Sequence, residues 1–590
     1  MRIPSVLTHS TLPLALSLFA AGCIVILEPE PGPARGVAVP AEVDSTDELR
    51  PAAEPELAPA ARVLALGRED NRVQEHLRHL CLALGPRLTG SHGLMEAERW
   101  CRDQLASWGL DARLERWGEF PVGFDRGHAS GAMMAPQQRE FVFTTPAWTP
   151  GTDGPVRGPA LLYPADAAAL EALRPRLERA WIVRPSGQRP EREWSQQVEA
   201  ALIDGRAAGL VSASRSEELV HTGGNHQIEW SALPRLVQVV LRGDQHKDLV
   251  ERIEKGEAVE LEFDIDNRFF QGPVQLHNVV ADLRGSERPD EYVIVCGHLD
   301  SWDGAHGTVD NATGVSTTLE AARLLAASGV RPKRTIRFIL WSGEEQGLLG
   351  SRAYVEQNAG LLPKVSAVLN HDGGTNYLSG LAATPEVMPA LRAATAPIAE
   401  LEARMGFELR EVDALSGGGG SDHASFVRAG VPGFFWMQDG RSDYNRYHHT
   451  QYDNFEAAIP SYQRHSALVA AVTALGLADQ PELLDRRNMA PIEPRRLGVQ
   501  LDGTKVESLT EGGKAAAAGW QVGDVIVSID GEEVTDRRAL MRRVQEGAPR
   551  KEFTLKRGEE TIQSVLDWSD DPGEQERARR AEERARTVGS

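Results

Sequence analysis

The chain has 590 residues, too many for one hydrophobic core, and its 41% hydrophobic content is enough to build about two to four domains. No apolar run inside the fold region has the length of a membrane span, and a net charge of −21 argues against a nucleic-acid backbone as partner while suiting the attraction of cations.

The first residues read as a targeting segment. Arg2 precedes the apolar run "LPLALSLFAAG", and Cys23 follows the small residues Ala20, Ala21 and Gly22. The segment resembles a bacterial lipoprotein signal, in which the cysteine is lipidated and becomes the first mature residue. Ala20 departs from the usual Leu, Val or Ile three places before that cysteine, and ordinary signal cleavage is the alternative reading. The resemblance implies an exported protein, membrane-anchored through Cys23 and facing the periplasm or cell exterior. Residues 1–23 are then the signal, and the Pro/Ala/Glu-rich residues 24–63 a flexible tether.

Helical spacing of Val73, Leu77, Leu80 and Leu84 predicts a helix over about Leu64 to Leu84, broken by "GPRLTGSHG". A second helix, "LMEAERWCRDQLASWG", ends at Gly109. Cys81 and Cys101 sit on these neighbouring helices, as a disulfide or as two buried thiols. Residues 64–123 form the first part of the main domain, and residues 124–270 alternate short apolar runs with helical ones, as a small α/β unit does.

Residues 271–478 carry near-continuously apolar strands ("NVVADL", "EYVIVCG", "TIRFILW", "VSAVLNHD", "VPGFFWM") separated by amphipathic helices. That texture predicts an α/β fold with a mostly parallel sheet and helices on both faces, and ligands collect along the rim where such strands end. Cys296, ending one strand, reads as core. Residues 479–494 form a linker, residues 495–568 a compact unit, and residues 569–590 a charged tail, solvated or a frayed helix.

The loop "GHLDSWDGAHGTVDN" (Gly297–Asn311) crowds carboxylates that repel one another unless a cation lies among them. In chain order the strand ends supply His298 and Asp300, then Asp310, then Glu344 and Glu345, then Asp372, and finally His448 and His449. Each alone has a structural reading: a satisfied core histidine, a turn aspartate, a solvated glutamate pair. Together, at successive strand ends, they form a carboxylate–imidazole set suited to zinc. There are too many ligands for one closed tetrahedral ion, whereas a metal pair sharing a carboxylate accounts for them. Glu344, left over, is then placed to take a proton from the bridging water and return it to a leaving amine.

"GHLDSWDGAHGTVDNATG", "LWSGEEQGLLGS", "NHDGG", "GSDHASF" and "HHTQYDN", in this order, resemble the co-catalytic di-zinc exopeptidase family that includes bacterial leucyl aminopeptidases and carboxypeptidase Q. The resemblance spans about Leu64 to Leu475, with residues 124–270 similar to a protease-associated domain inserted in a zinc exopeptidase fold. It implies two Zn2+ ions bridged by Asp310, with His298 and Asp372 completing one site and Glu345 and His449 the other. His449 is preferred to His448 because the family ligand directly precedes a threonine or serine, here Thr450. The resemblance further implies that the Asp300 carboxylate fixes the His298 tautomer, that Glu344 is the general base for attack by a metal-bridged hydroxide, and that the Asp310–Asn311 peptide is cis. Asp422 and His423 would contact substrate. Some family aminopeptidases place an oxyanion-stabilising tyrosine just before "SDH"; here Gly417–Gly420 offer only main-chain groups, which leaves that task to metal or His423.

The implied activity is removal of terminal residues from peptides, as an aminopeptidase, or cleavage of dipeptides in the manner of carboxypeptidase Q. A non-catalytic peptide-binding scaffold of the transferrin-receptor kind and a single-zinc glutaminyl cyclase share the fold and are the alternatives. Residues 495–568 resemble a PDZ domain of exported bacterial proteases, with "RRLGV" as its carboxylate loop. Main-chain N–H groups of Leu497, Gly498 and Val499 would hold a peptide C-terminus, or the unit is a packing module.

Overall fold

The computed structural model describes residues 57–588 except 188–189, 416, 418–419, 488 and 490–492. The signal reading, Cys23 and most of the tether lie outside the described residues. No described helix is long and apolar enough to cross a membrane.

The first helical stretch is two helices, α1 (Pro59–Glu69) and α2 (Val73–Arg78), the latter widening into a π-helical turn at His79–Leu84. The break has a specific cause. Asn71 Oδ1 accepts the Val73 N–H at 3.2 Å and Glu320 Oε1 the Arg72 N–H at 2.9 Å, side-chain acceptors that take main-chain donors a continuing helix would use. Helix α3 (His92–Ser107) starts at Ser91, whose hydroxyl accepts the Leu94 N–H at 3.1 Å. Cys81 and Cys101 are separate buried thiols, which settles the two readings against a disulfide.

Strand β1 (Asp111–Ala135) leaves the main domain as a long ribbon. The insert adds β2 (Val156–Leu162), β3 (Trp181–Val183), α4 (Arg192–Asp204), β4 (Gly209–Ala213), β5 (Gln238–Leu241) and α5 (Gly243–Glu254). The chain returns in β6 (Glu260–Leu283), antiparallel to β1, with Gly123 opposite Phe270 and Phe124 opposite Phe269. The insert boundaries read from the sequence therefore face each other across one ribbon.

His246 on α5 is buried, and burial pushes its imidazole down to about 4. The folded state keeps the ring neutral where the unfolded chain, with a value near 6.5, binds a proton. Its contribution is therefore whole above about pH 6.5 and lost as pH falls toward about 4, amounting to about 3 kcal/mol across the window. Urea unfolding between pH 7 and 4 should show a shallower loss of stability in His246→Gln than in the wild type; equal slopes would refute the assignment.

The catalytic-region elements follow as β7 (Arg288–His298), α6 (Thr313–Ala327), β8 (Arg334–Trp341), α7 (Leu349–Gln357), β9 (Val365–Asn370), β10 (Tyr377–Ala383), β11 (Glu408–Glu411), α8 (His423–Arg428), β12 (Gly433–Asp439) and α9 (Pro460–Ala478). Their sheet runs β11-β10-β12-β9-β7-β8-β6 and continues into the insert as β2-β3-β4-β5. Pairs β12–β9, β9–β7 and β7–β8 are parallel, while β10–β12 and β8–β6 are antiparallel. Val293 and Val295 of β7 face the core shared with α1, α6 and α9, whereas Ile294 and Cys296 face Tyr354 of α7 and Phe426 of α8. Burial on both faces is why these strands read as unbroken apolar runs.

The C-terminal unit has its own core around Leu497, Trp520, Phe553 and Trp568. Its strands β13 (Val499–Asp502), β14 (Lys505–Leu509), β15 (Val525–Ile529), β16 (Arg550–Arg557) and β17 (Glu560–Asp567) pair in that order, with α10 (Arg537–Gln545) between the third and fourth in sequence. The charged tail is the helix α11 (Pro572–Val588), and its first turns are docked rather than solvated. The Arg495 guanidinium donates to both Glu574 oxygens at 2.8 and 3.0 Å, and Arg580 donates to the Asp413 carbonyl at 2.8 Å.

Candidate metal centre

Four strand ends deliver the polar residues. Strand β7 ends at His298, and the loop after it is shaped by Arg87, a fully buried side chain donating to the carbonyls of Gly85 (2.9 Å), Leu299 (2.8 Å), His306 (2.9 Å) and Gly307 (2.7 Å). Gly307 stands at φ +61° with the Ser301 side chain filling the place of a Cβ, so a larger residue is excluded there. The chain then kinks through Thr308–Ala312, and the Asp310–Asn311 peptide is cis, as expected. The Asp453 carboxylate accepts the N–H groups of Val309 (2.5 Å) and Asp310 (3.1 Å), and Asn311 Nδ2 donates to the His371 carbonyl at 2.8 Å.

After β8, the N–H groups of Glu344 and Glu345 donate to the Asp300 carboxylate at 3.3 and 3.2 Å, and Thr89 Oγ1 donates to the same group at 2.9 Å. After β9 comes Asp372, its carbonyl accepting from Gln438 Nε2 at 2.8 Å. Beyond β12 the chain brings in His448 and His449, and the His449 ring stands edge-on to Trp302 with centroids 6.2 Å apart.

The expected ligands converge. His298 Nε2 lies 3.0 Å from Asp310 Oδ1 and 3.3 Å from Asp372 Oδ1. His449 Nε2 lies 3.1 Å from Asp310 Oδ2 and 2.9 Å from Glu345 Oε2. His448 Nε2 is farther from Asp310, at 3.6 Å, and its ring stacks on that of His449 at 3.7 Å. Two ligand sets, His298/Asp310/Asp372 and Asp310/His448/His449, overlap at Asp310.

Asp300 reaches His298 through both its main chain and its carboxylate, the main chain more closely. His298 Nδ1 meets the Asp300 main-chain carbonyl at 3.0 Å, and the carboxylate is 3.7 Å away, occupied by Thr89, Glu344 and Glu345. A carbonyl can only accept, so it still places the proton on Nδ1 and frees Nε2. The side chain also fixes the main chain of the two glutamates.

Burial opposes charge on Asp310, yet hydrogen bonds from His298 and His449 hold its carboxyl well below the usual range. Burial, then the Asp310 charge, pushes Glu345 up to about 7. Burial drives Glu344 well above the ordinary glutamate value, with Asp372 and Asp422 adding to it. Burial would lower His449, but its bonds to Asp310 and Glu345 raise it to about 10. Imidazoles and carboxylates thus crowd together at contacts of 2.9–3.3 Å, where the buried carboxylates repel one another. A divalent cation held by the same atoms relieves the same repulsion, so the donor set fits zinc.

Asp422 and His423, at the start of α8, are buried near this cluster. Burial pushes Asp422 up to about 7 and His423 down to about 4. Gly418 and Gly419 lie outside the described residues, and with them much of the glycine-loop reading. In the C-terminal unit the carbonyls of Leu497 and Gly498 accept from Ala515 (2.9 Å) and Thr510 (2.8 Å), fixing the loop that leads into Val499. Sequence reasoning missed Arg87, Thr89 and Asp453. Asp453 stands inside the quoted "HHTQYDN" and was recoverable there, whereas Arg87 bonds only to main chain on the contacts above.

Residues 278–473 match the family model for peptidase family M28, and residues 505–556 match that for the PDZ domain. Carboxypeptidase Q of Mus musculus is 28% identical over 435 residues, covering 71% of this chain and 88% of that protein. Carboxypeptidase Q of Homo sapiens is 27% identical over 431 residues with the same coverage, 71% and 88%. The crystal structure of a peptidase M28 precursor from Shewanella amazonensis aligns with a TM-score of 0.53 at 22% identity, over 74% of this chain and 98% of that one, a likeness of fold. Sequence match, strand order and the polar cluster at the strand ends agree in one respect: residues 278–473 are similar to peptidase family M28, and residues 505–556, which follow, to the PDZ domain.

Proposed function

We propose that the protein is a zinc exopeptidase holding two ions, one by His298 and Asp372, the other by Glu345 and His449, with Asp310 between them. One observation carries this reading: the two oxygens of the Asp310 carboxylate face different partners, Oδ1 toward His298 at 3.0 Å and Oδ2 toward His449 at 3.1 Å. When bound, zinc supplies Lewis acidity toward the scissile carbonyl and makes water acidic enough to react near neutral pH. Glu344 takes the proton of the attacking water and returns it to the departing amine. Asp300 holds the main chain of Glu344 and Glu345, so both carboxylates keep their places through the cycle.

Aminopeptidase action is the first reading. Dipeptide cleavage is the second, favoured by the likeness to carboxypeptidase Q. The PDZ domain would take a free peptide C-terminus at Leu497–Val499, and export with lipidation at Cys23 would hold the enzyme at a membrane surface. The test is zinc content of the purified protein, followed by hydrolysis of aminoacyl-anilides, dipeptides and their N-acetylated forms with and without chelator. Two zinc equivalents and chelator-sensitive cleavage lost on N-acetylation are expected. Metal-free protein that still binds peptide would make it a scaffold, and saturation at one equivalent would refute the bridged pair.

A further inference from the structure

His449 stands at φ +57°, a left-handed conformation that a residue with a Cβ keeps only when its surroundings enforce it. The enforcing contact comes from the insert. Thr222 donates to the His449 carbonyl through its N–H at 2.8 Å and its hydroxyl at 3.3 Å, and His221 and Thr450 form an antiparallel bridge. Gln451 fastens that bridge from the other chain. Its Oε1 accepts the Val220 N–H at 2.8 Å, its Nε2 donates to the Glu218 carbonyl at 3.1 Å, and its own N–H donates to the Val220 carbonyl at 3.3 Å. The His298 and Asp372 side is held differently, by the neighbouring strands β7 and β9 of the central sheet.

We infer that Gln451 is a positioning residue for the metal centre: it clamps the His449 loop to insert residues 218–222 and thereby sets affinity on the His449 side alone. The inference rests on the two-zinc reading above. A ligand whose main chain is already fixed binds without reordering the loop, and loss of such a support weakens metal by about 10–100-fold in comparable sites. The insert thus takes part in building the centre although it contributes none of the proposed ligands.

Full-length Gln451→Met keeps side-chain length and removes both side-chain bonds; Gln451→Ala removes them with the bulk. Zinc-free protein is titrated with zinc against a competing chelator, and its thermal unfolding is recorded without zinc. The wild type is expected to take up two equivalents. Both variants should hold one equivalent as the wild type does and the other at least about tenfold more weakly, with unchanged zinc-free unfolding. Variants that match the wild type at both equivalents would overturn the inference and leave the two-zinc reading intact. A fall in zinc-free stability with both affinities weakened alike would make Gln451 a general packing residue and overturn it as well. A wild type taking up fewer than two equivalents would overturn both.

Discussion

Glu344→Gln is expected to lower kcat by about 10²–10⁴ while both zinc equivalents stay bound, the range general acid–base groups contribute. The substitution keeps the side chain's size and one carbonyl oxygen, and removes the ability to accept a full proton. Metal content should hold because the proposed ligands are His298, Asp310, Asp372, Glu345 and His449, which meet one another at 2.9–3.3 Å, and Glu344 is not among them. Its N–H bond to Asp300 is a main-chain bond and survives the change. In the zinc-free protein, burial and the carboxylates of Asp372 and Asp422 keep Glu344 protonated well above the ordinary range. With divalent cations held by the neighbouring ligands, the charged, proton-accepting form of Glu344 would be favoured instead. Steady-state kinetics and zinc analysis on one preparation check the expectation. A variant with unchanged kcat would remove Glu344 from the proton path, and one that lost zinc would make it a ligand.

The polar cluster was legible because its members stand where a parallel sheet must put them. His298 and Asp372 end or follow strands of unbroken apolar residues, and Glu344–Glu345 follow another, so the apolar-to-polar switch marks the rim without any knowledge of contacts. The supports were not legible. Arg87 holds the 299–307 loop through carbonyl groups, which every residue has, so no residue type on the far side betrays the partnership. Asp300 shows the same limit: its main-chain oxygen, 3.0 Å from His298 Nδ1, lies closer than its carboxylate at 3.7 Å, and spacing along the chain cannot tell the two apart. The break between α1 and α2 turned on side-chain acceptors, Asn71 for the Val73 N–H and Glu320 for the Arg72 N–H, that helical periodicity does not register. Contacts between the insert and the His449 loop join residues more than 200 positions apart, as Val220 to Gln451 does at a separation of 231, and spacing along a chain carries no trace of them.

Asp310→Asn should cost the protein both zinc equivalents at once and lower kcat/KM on the order of 10⁴-fold or more, whereas Asp372→Asn should cost one. The asymmetry follows from geometry. Asp372 meets His298 alone in its set, but Asp310 turns one oxygen to His298 and the other to His449, so neutralising it removes a negative ligand from each side. Folding need not suffer with binding. Asparagine has nearly the same shape, and Val309 and Asp310 donate to Asp453 through main-chain N–H groups that the substitution leaves in place. The two effects separate in a thermal-unfolding experiment. A ligand at about 100 times its dissociation constant stabilises by about 2.7 kcal/mol per site, so zinc should raise the wild-type melting temperature and leave that of Asp310→Asn where it stands without metal. A variant that still takes up one equivalent would confine Asp310 to a single ion, and the shared carboxylate on which the proposed chemistry depends would be lost.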